Sequence, residues 1–150
     1  GRVPPNLLMW MHDLDFGTVC EKFGLYVVKQ AKFRPSQKEV IILAVAGHFG
    51  SDFERHFHEP MAARAGLTAA QIAAIREGRD PQLPDPVDQV SWELVNAFLN
   101  VRGVPDALHA RAMTLLGHGG VHDLVGLAGL YTMIAQTLAF YRVPVPKDNL

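Results

Sequence analysis

Proline and glycine divide this chain into segments whose apolar residues recur at helical spacing. No segment alternates polar and apolar residues over enough positions to indicate a strand, so the pattern predicts an all-α fold. The 150 residues are the size of one domain, and such a chain buries roughly two thirds of the surface that it exposes when unfolded. We expect residues 1–150 to form a single domain with one core, built from about seven to eight helices.

The first section, residues 1–35, is expected to contain two helices. The first follows a pair of prolines and ends near Met11, and the second covers about 16–30. Four apolar side chains of the second helix should share one face: Val19, Phe23, Tyr26 and Val27. That face is predicted to pack against the rest of the chain.

Capping-box spacing, a hydroxyl residue followed three positions later by Glu or Gln, marks helix starts within residues 36–78. The pairs with this spacing are Ser36 with Glu39, Ser51 with Glu54, and Thr68 with Gln71. The run 40–46 after the first pair is apolar on every side, so this helix should lie at the centre of the fold.

The segment 79–87 holds three prolines, the last of them Pro86, and is predicted to form an extended surface loop between two helical halves. The section 88–150 should contain the remaining helices and a proline-spaced tail, with helices over about 88–101, 105–116 and 121–141. The stretch 124–141 has no charged residue and is barely long enough to span a bilayer. Its Gly, Thr and Gln residues favour a buried helix.

Charge and cysteine content exclude several classes of protein. With 14 basic and 15 acidic residues, the chain has no basic excess for nucleic acid or an anionic membrane. Cys20 is the only cysteine, which excludes an internal disulfide, a cysteine-based zinc site and a redox-cycling thiol pair. Its apolar surroundings predict core packing. We expect a small-molecule substrate, no nucleic acid or membrane partner, and, without an export-like signal pattern, a cytoplasmic location.

The densest group of ionisable side chains lies in residues 48–58. Glu54 and His58 are four positions apart on a predicted helix, which brings them to roughly 6 Å on one face, while His56 points nearly the opposite way. A carboxylate beside an imidazole raises its proton affinity and fixes its tautomer, as a general acid or base near neutral pH requires. The same spacing is also common in weak pairs on solvated helices, so both interpretations stay open.

Other polar residues have two interpretations each. Glu39 and Ser51 either cap helices or belong to a pocket, and His48 is either a turn residue or a ligand for a substrate oxygen. Arg55 is either a solvated charge or an attractor for an acidic substrate. Two histidines four positions apart, His118 and His122, either cap the closing helix or line the pocket. The usual helical zinc motif is missing, and we predict neither a metal site nor a cofactor.

A resemblance to a known family is carried by residues 39–46, 50–58, 62–67 and 70–78, and later by 115–117, 123–125, 129–131 and 143–146. From Ser36 onward the sequence thus resembles the carboxymuconolactone decarboxylase family, which includes the AhpD-like alkylhydroperoxidases. It implies an AhpD-like helical bundle that forms a homo-oligomer through apolar helices, a trimer or a multiple of it. Three small residues, Gly126, Gly129 and Ala135, would permit close helix approach.

Peroxidase members of that family carry a glutamate and, about a dozen residues later, a Cys-x-x-Cys-x-x-x-His motif. The resemblance places this glutamate at Glu39, the two cysteines at Ser51 and Glu54, and the histidine at His58. A serine and a carboxylate cannot form a disulfide, so thiol peroxidase activity is not expected. The chain resembles the non-redox branch, which implies a cofactor-free pocket for proton transfer.

The leading hypothesis is a cofactor-independent decarboxylase or lyase acting on a small carboxylic acid, lactone or carbonyl compound. His58, Glu54 and Glu39 are its predicted catalytic residues, with His58 donating the proton and Glu54 orienting it. The predicted substrate-binding residues are Ser51, His48, Arg55, His118 and His122. The alternatives are a non-catalytic protein that binds a small ligand or supports assembly on the same scaffold, and a metal-dependent hydrolase.

Overall fold

The computed structural model describes residues 4–100 and 103–147, and over these residues the chain is all-α with no strand. The helices are α1 (Pro5–Trp10), α2 (Leu14–Leu25), α3 (Pro35–His48), α4 (Asp52–Arg64), α5 (Ala69–Arg76), α6 (Pro86–Asn100) and α7 (Asp106–Phe140). A π-helical segment, Tyr26–Gln30, continues α2. The prediction of an all-α helical bundle is therefore confirmed.

Helix α3 forms the centre of the fold, as its all-round apolar sequence predicts. Every side chain from Val40 to Ala46 is buried. Helices α4, α5, α6 and α7 all pack against α3, so little of its circumference is left for water. An apolar helix needs such surroundings on all sides, and the side chains that α3 directs at its neighbours are thereby held in fixed positions.

Two of the three predicted capping boxes do not form. Pro35 takes the first helical position of α3, where its missing N–H costs nothing. Ser36 therefore already lies inside the helix and cannot cap it. Ser51 does occupy the position before α4, but its side chain caps no backbone N–H. The box of Thr68 and Gln71 at α5 is present, which leaves Glu39 and Glu54 free for other contacts.

The proline-rich segment differs from the predicted extended surface loop. Pro86 starts α6 and is not part of the loop, because proline is well suited to the first turn of a helix. Leu83 is buried against the core. Arg34 bonds to Asp85 and, at 2.9 Å from Nη2, to Asp88, so the start of α3 is tied to the start of α6.

Helix α7 is divided by Gly117, whose φ of 63° and ψ of 179° lie in a region almost reserved for glycine. The predicted break between two helices is thus present, although the second part begins before Val121. Helix α7 is long and apolar enough to cross a membrane. The core helices of soluble proteins can have the same length and composition. Its second part buries a stripe of side chains in the core: Leu124, Leu127, Tyr131, Ile134 and Leu138.

The predicted inward face of the second helix is largely wrong. Val19 is 66% exposed, Phe23 40% and Tyr26 47%, whereas Val27 is buried. Helix α2 instead turns Gly17 and Cys20 towards the core. Its apolar residues cover more of the circumference than the single chain can bury, so helical periodicity alone pointed to the wrong side.

Gly47 is required where α3 crosses the end of α5. A Cβ atom at this position would lie 2.6 Å from the carbonyl oxygen of Arg76, which is backbone and cannot swing away. Substitution Gly47→Ala should therefore lower the free energy of unfolding by about 1–3 kcal/mol, as overpacking does. Urea denaturation followed by circular dichroism measures this change.

The matched control is Gly119→Ala, because a Cβ there meets nothing within 4 Å. This variant should be neutral or more stable by up to about 1 kcal/mol, since alanine favours helix over glycine. Equal stability of the two variants would show that α3 and α5 tolerate the added methyl group.

Candidate active site

Four side chains from α3, α4 and α7 meet where these helices pack together. We call them the relay cluster: Glu39, Glu54, His58 and Tyr131. Glu39 lies on α3, Glu54 and His58 lie on α4, and Tyr131 comes from the second part of α7. The cluster is assembled by the packing of α4 and α7 on the central helix. It contains all three residues predicted to be catalytic.

His58 contacts every other member of the relay cluster. Its Nδ1 atom lies 2.7 Å from Oε2 of Glu39. On the other side of the ring, Nε2 lies 3.2 Å from the hydroxyl oxygen of Tyr131 and 3.5 Å from Oε2 of Glu54. The imidazole thus has a carboxylate on each nitrogen, with the closer one on Nδ1.

The Glu39 contact fixes which nitrogen of His58 carries a proton. A carboxylate offers only acceptors, so Nδ1 is the donor in this bond. Nε2 then accepts the hydroxyl proton of Tyr131 when the ring is neutral. When the ring is protonated, Nε2–H can donate to Glu54. Each protonation state of His58 therefore has its own hydrogen-bond partner.

The surroundings of His58 favour its protonated form. Burial by itself lowers the pKa, but the hydrogen bonds and negative charges of Glu39 and Glu54 outweigh it, so the pKa of His58 lies above its usual 6.5. Both glutamates are buried, at 3% and 7% exposure. Their charges are therefore weakly screened by solvent and act strongly on the ring.

Tyr131 was not predicted from the sequence. It is buried, and its pKa is raised by that burial and then by the charges of Glu54 and Glu39. The phenol therefore stays protonated and serves as a donor to Nε2. One signal was available: Tyr131 falls on the stripe of α7 that is otherwise aliphatic, and a buried tyrosine hydroxyl needs a polar partner.

A cavity of about 400 Å³ adjoins the relay cluster on the Glu39 side. Glu39 is the one relay residue among those that line it: Val28, Lys29, Ala31, Phe33, Arg34, Pro35, Lys38, Glu39, Met61, Arg64 and Ala65. Met61 and Ala65 follow His58 along the same face of α4. Glu39 therefore links this cavity to His58, which does not itself line it.

None of the five predicted substrate-binding residues lines this cavity. Arg55 forms an ion pair with Asp52 one helical turn earlier. His48 is exposed at the other end of α3, where it lines a second cavity of about 400 Å³. Ser51 is half-buried before α4 and makes no side-chain hydrogen bond within the described part of the chain.

The remaining candidates also lie apart from the relay cluster. His118 and His122 are exposed on α7, with ring centroids 6.5 Å apart. Within residues 4–100 and 103–147, no group of three or more His, Cys, Asp or Glu side chains is placed to hold a metal ion. Cys20 is buried in the core, and burial raises the pKa of its thiol.

The pKa of His58 gives a direct test of the cluster. Substitution Glu39→Gln removes the charge at Nδ1 and leaves burial as a larger influence, so the pKa should fall clearly relative to the wild type. Two-dimensional NMR of the imidazole nitrogens across a pH titration measures it.

Glu21→Gln is the control, because it makes the same chemical change on an exposed part of α2. This variant should leave the titration of His58 unchanged. An unaltered midpoint in Glu39→Gln would contradict the geometry of the relay cluster.

Comparison with known proteins agrees with the all-α fold. A model of the carboxymuconolactone decarboxylase family matches residues 15–95, which is more than half of the chain. The match includes Glu39, Glu54 and His58, and it ends before Tyr131. Searches of curated proteins and of solved structures give no significant match. By the extent of the family match, this chain belongs to the carboxymuconolactone decarboxylase family.

Proposed function

We propose that this protein is a cofactor-independent acid–base enzyme of the decarboxylase or lyase type. Its substrate would be a small carboxylic acid, lactone or carbonyl compound. One observation carries the proposal: Glu39, whose carboxylate contacts Nδ1 of His58 at 2.7 Å, is also one of the residues that line a cavity of about 400 Å³. A proton-carrying pair thus adjoins a space large enough for a small substrate.

The chemistry needs one proton at the substrate carbon. Loss of carbon dioxide leaves an electron pair on that carbon, and a proton from the enzyme completes the product. Glu39 can deliver it after receiving the Nδ1 proton of His58, and solvent then returns a proton to the pair. In the opposite sense, ionised Glu39 can remove a proton beside a carbonyl group.

These roles differ from those expected from the sequence. There, His58 donates the proton and Glu54 orients it. In the proposed arrangement Glu39 faces the substrate and His58 acts behind it as the proton store. Glu54 and Tyr131 hold Nε2 in its charged and neutral forms respectively. The low effective dielectric of a buried cluster strengthens each of these interactions.

Self-association is a second part of the proposal. Helix α2 exposes apolar side chains over much of its length, and Val125 on the adjoining part of α7 is 49% exposed. The hydroxyl of Tyr26, the first residue of the π-helical segment that continues α2, donates a hydrogen bond of 3.1 Å to Asp123, so this segment packs beside α7. A continuous exposed apolar surface on a small protein favours association. We propose that α2 and α7 form the interface of a homo-oligomer, a trimer or a multiple of it.

Cytoplasmic location, the absence of nucleic acid and membrane partners, and the absence of a resident cofactor stay predictions. The hypothesis of a metal-dependent hydrolase would be supported by stoichiometric zinc, nickel or iron in untagged protein. The hypothesis of a non-catalytic binding protein would be supported by a small ligand that binds without turnover.

Substitution Val19→Glu should shift the protein towards monomer, because it puts a charge in the centre of the exposed face of α2. Sedimentation velocity at several protein concentrations measures the state. Thr18→Glu, at an exposed non-apolar position beside it, is the control. A wild type that sediments as a monomer at high concentration would contradict this part of the proposal.

Proton transfer can be tested by proton NMR in heavy water, with a panel of lactones, β-keto acids and hydroxy acids. The wild type should consume a compound or introduce deuterium beside its carbonyl group. Glu39→Gln and His58→Ala should reduce the rate by a factor of about 10² or more, the usual contribution of general acid–base catalysis.

His56→Ala is the matched control on the same helix, since His56 contacts Phe57 and not the relay cluster. It should keep the wild-type rate. Equal rates in the wild type and in both relay variants would remove the acid–base assignment. Binding without turnover of any compound would favour the non-catalytic alternative.

A further inference from the structure

We propose that Lys29, Lys38 and Arg64 form an anion-binding subsite in the cavity beside Glu39. Its ligand is a small organic compound that carries two negative charges, and these belong either to two carboxylates or to one phosphate monoester. The inference rests on the proposed function, because it makes this ligand the substrate whose reacting carbon is presented to Glu39.

The three cations come from three separate elements and meet at one cavity. Lys29 lies on the π-helical segment after α2, Lys38 on α3, and Arg64 on the last turn of α4. None of them takes part in an ion pair within residues 4–100 and 103–147. Their charges therefore remain available to a ligand.

Arg34 also lines the cavity but has a different role. It is held by Asp85 and Asp88, which neutralise it and raise its pKa through the bond to Asp85. It therefore anchors one wall and contributes little free positive charge. Arg34 thus forms a structural ion pair, whereas the charges of the other three cations are available to bind a ligand.

The start of α3 adds positive potential at the same place. Pro35, its first residue, and Arg34, which precedes it, line the cavity, and no side chain caps this end of the helix. The N-terminus of a long helix carries a partial positive charge of about half an elementary charge. It acts in the same direction as the three cations.

The excess of positive charge is local. The chain as a whole has a formal net charge of −1, so three cations without an ion pair at one cavity do not reflect a generally basic surface. The one acidic residue in the lining, Glu39, is paired with His58. A monocarboxylate would satisfy only part of this charge. The arrangement favours a dianion, since bound anions prefer sites where several donors converge.

The remaining wall of the cavity is apolar and positions the rest of the ligand. Val28, Phe33 and Met61 provide it. The carbon skeleton of a ligand would lie against these side chains, while its charged groups face the lysines and the arginine. That orientation brings the skeleton next to the carboxylate of Glu39.

Isothermal titration calorimetry with the intact protein tests the subsite, using butyrate, succinate and methyl phosphate as probes. Either dianion should bind at least about tenfold more tightly than butyrate, because a charge-assisted contact contributes about that factor. The probe that binds more tightly, succinate or methyl phosphate, identifies the source of the charge.

Lys38→Met and Arg64→Met should each weaken binding of the tighter dianion about tenfold, and Lys38→Arg should retain most of it. Lys22→Met on exposed α2 is the matched control and should bind like the wild type. Equal affinities for all three probes, or unchanged affinity in both charge variants with an unchanged unfolding midpoint, would overturn the subsite.

Glu39→Gln separates this inference from the proposed function. It should bind the dianion at least as tightly as the wild type while it loses proton transfer. Dianion binding without proton transfer in the wild type would leave the subsite standing and remove the enzyme. Proton transfer that is unaffected by Lys38→Met and Arg64→Met would remove the subsite and leave the enzyme.

Discussion

The contact between Glu39 and His58 is the interaction on which the rest of the site depends. Glu39 begins the most deeply buried stretch of the chain, where a lone carboxylate would be very costly to keep ionised. An imidazole at 2.7 Å supplies both a donor and a compensating charge. Helix α4 must therefore dock on α3 in the one register that brings His58 to Glu39. The same contact that permits burial of the carboxylate also creates a pair able to exchange a proton.

The second carboxylate, Glu54, adds to the effect of Glu39 in raising the pKa of His58 against the opposing effect of burial. A single buried carboxylate would compete with the desolvation of the ring, which lowers its pKa. With negative charge on both sides the protonated form of His58 is favoured, and Tyr131 holds the neutral form. A site that moves protons needs both forms to be accessible, because a group fixed in one state cannot return to its starting point after a reaction.

Local sequence patterns predicted the elements of this fold better than their contacts. The buried α3 and the capped start of α5 followed from residues adjacent in the chain. The caps expected from Ser36 and Ser51 failed, because Pro35 moved the start of α3 and because both glutamates are used in the relay cluster. The prediction of the inward face of α2 was wrong, because helical periodicity identifies the apolar face of a helix but not the part of the protein that covers it.

The contact of His58 with Tyr131 joins residues 73 positions apart, and its one local signal is a polar hydroxyl in an otherwise aliphatic stripe. The cavity cations belong to three elements, and only the packing of those elements brings them together.

The four side chains of the relay cluster contain no sulfur atom, and the one thiol of the chain is enclosed in the core. A cysteine at the place of Ser51 or Glu54 would expose such a site to stepwise oxidation and to the thiol–disulfide balance of its compartment. Carboxylates, an imidazole and a phenol exchange protons but are inert to peroxide at ordinary concentrations. A relay cluster without thiols therefore does not depend on reducing partners. What governs it instead is the acidity of the medium, because the charge of the cluster changes with the protonation of His58.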